Sequence, residues 1–552
     1  MAVVWMTTDI RYRFRVETAP LPLHRLTFIS IASVGTLALV TDLWRAEGWL
    51  VPRGPFLTPA TWQAVLGAVF LIPFLTWAWF AYMKPPTFGK NNAQRFGSFL
   101  YSTILDGSPT EMAVIAQELG RSVRSLVRHA PNHSRLGGYL PGEEPPKLTK
   151  VQGIANDILL LIADQRFCRM LVQSSPGAIL QIFQEIAKTQ KYGVSISQFG
   201  RNVISAAIEN RDSFMYHEAE GYTSGLLGYH KPLSKAIFGN YRMAEQIGTL
   251  LDPDYKVIRK WSVVEWEAYN RAVLITLRSY VQDDFWSHSF ILNRSLGSIE
   301  HAASDLYKIN GSDGGSWDHD AVQKLRTSVG FCDEAIKILN ERGVPTGLHL
   351  RIRKGDPFHY ETFYDQIADL MFEIIFTASS VKRPWDLCWT IQHNTVWREF
   401  FGQLGEDGKA GKIVKLKLRR KIYDEIISAT EWPNFKNIKI LGFCLNVMGL
   451  EIHDGSYGRG SRALQKVVLA WTKQNFVSLE QRSPQVFEDC LPAGLSYDKK
   501  NYRLIKTREI DAIRRNPEYF YFELDKPPKI KSTNQKRATI ARSQTLLPPE
   551  LR

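Results

Sequence analysis

The 552-residue chain holds only five cysteines, Cys168, Cys332, Cys388, Cys444 and Cys490, and no two of them form a CxxC pair. That spacing excludes zinc ribbons, zinc fingers and thioredoxin-like redox sites. An odd number of scattered thiols reads instead as small core residues of a reducing compartment. H-E-x-x-H and G-x-S-x-G are also missing, which removes the common zinc-protease and α/β-hydrolase readings. Nothing recurs at the spacing of the familiar helical repeats, so no solenoid is expected. The nearest approach to a phosphate loop, Gly405–Lys412, has Glu406 where its first glycine belongs and Ile413 where Ser or Thr should follow Lys412. Asp313 and Asp318-His319-Asp320 lie in a Gly-rich loop without EF-hand spacing, and Asp318 suits a helix N-cap. No metal and no cofactor are expected.

Against these absences stand two apolar runs, Leu26–Trp44 and Thr61–Met83. Each approaches the roughly 20 residues that an α-helix needs to cross the hydrocarbon core of a bilayer. The second is uncharged, with Trp62 at one end and Trp77, Trp79 and Tyr82 at the other, where amphipathic rings favour the headgroup region. Pro73 is expected to kink it. The first is diluted by Thr27, Ser30, Ser33, Thr36 and Thr41, a composition better suited to packing on another helix than to facing lipid. Ala32-x-x-x-Thr36, with Gly35 between, and Ala64-x-x-x-Ala68 are small-residue spacings that let backbones approach, and they point to self-association as a homo-oligomer. A cleaved signal peptide is the competing reading for the first run, but no small-x-small site precedes Arg45–Glu47.

Basic residues set the expected topology. Arg11, Arg13, Arg15 and Arg25 precede the hairpin and Lys84, Lys90 and Arg95 follow it, whereas the loop between carries only Arg45 and Arg53. Short-loop cations resist translocation, so both termini are expected to be cytoplasmic, in a bacterial-type inner membrane. The net charge of +14 asks for an acidic partner: anionic lipid headgroups first, with nucleic acid as the rival.

The fold class expected is mainly α. A basic N-terminal arm (1–24) precedes a two-helix transmembrane hairpin (25–83). A helical cytosolic domain (84–310) and a second helical part with a small C-terminal β element (311–525) follow, and then a basic disordered tail (526–552). Ser108-Pro109-Thr110-Glu111 is a helix start, with Met112, Ile115, Leu119, Val123 and Leu126 as its buried stripe. Tyr519–Leu524 reads as a strand, with Asn501–Lys506 as its partner. Arg11–Val16 alternates at the strand period, which suggests either an added strand or a basic arm on lipid.

Three constellations carry what chemistry there is. The densest basic run, Lys409, Lys412, Lys415, Lys417, Arg419, Arg420 and Lys421, falls on an expected amphipathic helix and is a candidate anionic surface. Gly455–Arg462 precedes another helix and reads as a turn with a Ser cap rather than a phosphate site. Arg211-Asp212-x4-His217 resembles the short signature of HEPN-type ribonucleases, which are all-helical dimers. The resemblance implies that His217 handles a proton and Arg211 stabilises charge on an RNA phosphorane. The competing reading is a structural His beside a salt-bridged Arg at a helix end. No motif carries a specific reaction, so the function expected is a membrane-anchored signalling, sensor-effector or scaffold component. The alternative is a membrane-tethered enzyme acting on a phosphate-bearing substrate.

Overall fold

The chain divides into two compact units, Met1–Ala302 and Ala303–Arg552, and helices dominate both. The computed structural model describes residues 9–49, 58–132, 148–218, 232–283, 288–310, 319–344, 362–403, 408–452, 461–508 and 517–526. Asp313, Asp318, the turn 453–460 and the tail from 527 onward lie outside the described residues.

Unit 1 begins with α1 (Ile10–Glu17), α2 (Leu23–Ala46) and α3 (Pro59–Ala78), the last running on through a π-helical turn, Trp79–Met83. Where alternation predicts a strand or a loose arm, α1 is helical. The Asp9 carboxylate accepts the Arg11 N–H at 2.8 Å as its N-cap, and Phe14, Arg15 and Val16 are buried. Phe14 packs edge-on against Phe96 and Phe99, at 5.3 and 5.4 Å. Six residues of alternation cannot outweigh a cap plus a buried aromatic.

The body of unit 1 comprises α4 (Ala93–Asp106), α5 (Pro109–His129), α6 (Lys150–Leu161), α7 (Gln165–Ser174), α8 (Pro176–Thr189), α9 (Ser197–Glu209), α10 (Val263–Gln282) and α11 (Phe290–Glu300), with shorter helical pieces between. At α5 the capping box is in place: the Glu111 carboxylate accepts the Ser108 N–H at 2.8 Å, and the Ser108 hydroxyl accepts the Glu111 N–H at 3.3 Å. The first bond is the main reason the Glu111 carboxyl is held below the usual range. Met112, Ile115, Leu119, Val123 and Leu126 are all buried, against α8 and α7, which supply Ile179, Ile182, Phe183 and Phe167 to the same core.

Unit 2 contains α12 (Asp320–Arg342), α13 (Phe363–Ala378), a stretch beginning at Trp385 that becomes π-helical over Thr390–Trp397, α14 (Lys409–Ser428), α15 (Phe435–Met448) and α16 (Arg462–Arg482). A three-stranded antiparallel sheet follows: β1 (Leu495–Asp498), β2 (Arg503–Arg508) and β3 (Glu518–Glu523), in that order. The expected partnership is present, with Leu504 opposite Phe522 and Lys506 opposite Phe520. Helix α15 buries residues on every side, from Ile438 to Val447. An apolar helix of that kind has no stripe to reveal it in sequence.

Candidate functional site: the hairpin and its junction

Two helices, Leu23–Ala46 and Ala60–Met83, are long and apolar enough to cross a membrane. They pack on each other along a narrow seam. On α2 the covered or half-covered positions are Leu23, Leu26, Thr27, Ser30, Val34, Ala38 and Thr41, and on α3 they include Leu66, Pro73 and Trp77. These positions recur at steps of three and four, the spacing of a helix–helix seam. The hydroxyls do not waste donors. Thr27 and Thr76 each donate to the carbonyl four residues back, at 2.8 Å, and Trp62 Nε1 donates across the hairpin to Thr41 Oγ1 at 3.0 Å. Pro73 lies buried in the seam. Ala32, Gly35, Thr36, Ala64 and Ala68 lie outside it and are exposed. A Cβ built on Gly35 or Gly67 would meet nothing within 4 Å.

The outward faces carry large apolar side chains. Phe28 is 71 % exposed, Leu39 73 % and Ile72 56 %. Only 6 % of the apolar window of the first helix and 17 % of the second is buried. A core helix of a soluble domain is covered on most sides; these two are bare.

At the inner end the hairpin is clasped to the helical body. In the π-turn the Lys84 N–H reaches back to the Trp79 carbonyl at 2.8 Å, while the Ala81 carbonyl accepts Arg15 Nη1 at 2.7 Å. The other nitrogens of Arg15 grip Glu118 of α5, Nε to Oε2 at 3.0 Å and Nη2 to Oε1 at 2.7 Å. Both side chains are more than nine-tenths buried. Arg11 and Arg121 stand 3.7 Å from the same carboxylate. Around this clasp Val16, Ala19, Leu23 and Ala81 form a small core, with Tyr12, Trp77 and Phe80 packed against it. In the sequence Arg15 stands out only as one of the cations ahead of the hairpin and as a member of the Arg11–Val16 alternation, and Glu118 not at all. The available signal was an acid one residue before Leu119, on the buried stripe of α5.

The other predicted sites are occupied by structural bonding to differing degrees. Arg211 is exposed and donates to Glu265 Oε1 from Nε and Nη2, at 3.3 and 3.2 Å. Glu265 also closes the capping box of α10 with Ser262. Burial raises the Glu265 pKa, but the hydrogen bonds from Ser262 outweigh it and the net shift is downward. Ser213 caps the short turn Phe214–His217, on which His217 is exposed. Among the described residues no hydrogen bond or ion pair joins Arg211 to His217.

On α14 the buried stripe is Ala410, Val414, Leu418, Ile422 and Ile426, whereas Leu416 is exposed. Lys417 falls beside this stripe and is buried, its Nζ 2.5 Å from Asp365 Oδ1. It therefore leaves the expected anionic-surface set. Lys421 pairs with Asp369 and Lys436 with Glu373, which makes three successive rungs along α13. Arg420 pairs with Asp424 at 2.9 Å, and Arg419 is half-buried and reaches the Lys415 carbonyl at 3.2 Å. Lys409 and Lys412 remain exposed at the start of the helix.

Trp385, Trp389 and His393 stack in a ladder, nearly parallel at 6.5 and 4.2 Å, and Lys506 stands 4.8 Å above Trp389. Among the described residues no three His, Cys, Asp or Glu side chains gather as a metal site. No protein-family model matches the chain, and no curated protein matches it.

Proposed function

We propose that the chain is a membrane-anchored helical protein whose hairpin spans a bilayer twice, serving as a self-associating scaffold or sensor-effector component. One observation carries the reading: two packed apolar helices expose large side chains such as Phe28, Leu39 and Ile72 over most of their surface. A soluble protein seldom leaves so large a contiguous apolar patch bare, whereas hydrocarbon covers it without cost. The Arg15–Glu118 clasp supports a two-span arrangement, because it joins the segment before the hairpin to the segment after it. The basic residues on both sides of the hairpin support the reading that both flanks are cytoplasmic, as in a bacterial-type inner membrane. The outward small residues Ala32, Gly35, Thr36, Ala64 and Ala68 are the surface through which copies associate, and the exposed Lys409 and Lys412 suit anionic headgroups.

Carbonate extraction of membranes tests the anchor; release of the chain into the supernatant would remove the reading. An impermeant maleimide applied to intact cells should label Gly48→Cys and spare Lys90→Cys. The reverse pattern would invert the topology. Ala32→Cys should give disulfide-linked dimers in membranes, and monomers alone would dispose of self-association.

A further inference from the structure

Helix α1, helix α4 with the two residues shortly before it, Lys90 and Asn91, and the start of α6 line an open cavity of about 640 Å³. That volume is ordinary for a small-molecule pocket and larger than a lone inorganic anion requires. Four cations line it, Arg13, Lys90, Arg95 and Lys150, against a single carboxylate, Glu17. His24 Nε2 stands 3.2 Å from that carboxylate.

The cations are held in different ways. Arg95 Nη2 donates to the carbonyls of Ala19 and Pro20, at 2.6 and 2.9 Å, which fixes its guanidinium beneath the turn between α1 and α2. Lys150 Nζ donates to Gln94 Oε1 at 2.9 Å. Arg13 lies 6.0 Å from the centre of the Phe99 ring. Among the described residues no carboxylate forms a salt bridge with Arg13, Lys90, Arg95 or Lys150. Four like charges around one concavity repel one another unless an anion joins them.

The cavity's place narrows the anion. Its α1 wall leads directly into the first apolar helix at Leu23, and Lys90 comes shortly after the second ends at Met83. We propose that this cavity binds a phosphate-bearing headgroup, either that of an anionic phospholipid or a soluble phosphate ester of the same chemistry. Arg13 supplies a planar fork for phosphate oxygens, and Lys90 and Lys150 supply mobile point charges. The lipid source rests on the membrane reading of the hairpin; the soluble source does not.

The test uses the full chain and the triple variant Arg13→Gln/Lys90→Gln/Lys150→Gln, leaving Arg95 to hold its turn. Native mass spectrometry from micelles of mixed phosphatidylglycerol and phosphatidylcholine reads bound lipid. At about 1 kcal/mol for each basic residue, the variant should retain phosphatidylglycerol at least about tenfold more weakly, with phosphatidylcholine unchanged. In a second arm sn-glycerol 3-phosphate is added to lipid-free protein. A rise in melting temperature for the parent and not the variant assigns a soluble ester, whereas lipid retention without that rise assigns the lipid. Equal phosphatidylglycerol retention by parent and variant, with no glycerol-phosphate shift, overturns the site. Lys90→Glu repeats the comparison if the triple variant fails to fold, because among the described residues the Lys90 side chain makes no hydrogen bond. Carbonate extraction of the same samples reads the anchor separately from the pocket.

Discussion

Arg15 and Glu118 meet through two parallel N–H···O bonds of 3.0 and 2.7 Å across 103 residues of chain, and the remaining arm of the guanidinium holds the Ala81 carbonyl at 2.7 Å. One side chain thus ties together α1, the end of the second apolar helix and the central helix of unit 1. Arg15→Ala leaves a buried Glu118 without its principal partner. Removing one member of such a pair costs about 3–5 kcal/mol. A Lys at this position has no fork and should recover only part of the loss. Denaturant unfolding of the detergent-solubilised protein measures both variants; a change for Arg15→Ala within experimental error would show that the clasp is not structural.

Lys417 and Asp365 present the same physics in unit 2. Asp365 takes Lys417 Nζ on one oxygen and the Thr362 N–H and hydroxyl on the other, at 2.9 and 2.6 Å. Burial raises its pKa, but these bonds outweigh it and hold the carboxyl below the usual range. Lys417→Met is expected to destabilise by about 3–5 kcal/mol. The double change Lys417→Met/Asp365→Asn should be milder than the single, because no buried charge is left alone. A double variant as damaged as the sum of its parts would refute the coupling. The depressed pKa also sets a sign. Stability from Asp365 is complete above about pH 4, its unfolded value, and is lost as pH falls through the lower folded value.

At alkaline pH Lys506 acts the other way. Burial, reinforced by Arg508, pushes its ammonium down to about 8, against about 10.4 in an unfolded chain. Between those values the unfolded chain binds more protons, so Lys506 makes stability rise with pH across about 8 to 10. Buried thiols oppose it: Cys388 is raised to about 12 by burial, and such a group loses stability as pH climbs above its unfolded value of about 8.5. The readout is therefore the difference between parent and Lys506→Met. That difference should change steadily in favour of the parent from pH 8 to 10, and a flat difference would count against the shift.

Across the hairpin, Trp62→Phe removes the bond to Thr41 while keeping the aromatic ring. Interhelical hydrogen bonds in membranes average about 0.6 kcal/mol and reach about 1.7. A loss in that range on unfolding in mixed micelles is expected, and Thr41→Val, which also removes the hydroxyl's own bond to the Leu37 carbonyl, should lose at least as much. Loss from only one of the two would mean that the bond is not what is being measured.

What the sequence made legible follows from how local each cause is. The start of α5 was readable because Ser108, Pro109 and Glu111 act within one turn, and its core stripe because Met112 to Leu126 share a single helical face. The two apolar helices were readable from length alone. Helix α15 was not, since Asn437–Val447 is buried all round and shows no period. Nor was α1, whose six alternating residues imitate a strand until Phe14 finds Phe96 and Phe99. The clasp stayed hidden for a different reason. A buried ion pair is defined by two distant residues, and neither Arg15 nor Glu118 looks unusual in its own neighbourhood. Lys417 was misplaced because a run of seven cations masks which one faces inward.

The clasp also fixes an order of events during synthesis. Arg15 leaves the ribosome 103 residues ahead of Glu118, and both apolar helices emerge in the interval. Until α5 arrives, Arg15 lacks the carboxylate that pairs with it, so the clasp closes only after the whole hairpin has been made. The ion pair then works as a latch that only a completed hairpin can close. Chains in which the hairpin does not form keep Arg15 and Glu118 apart, each without the other.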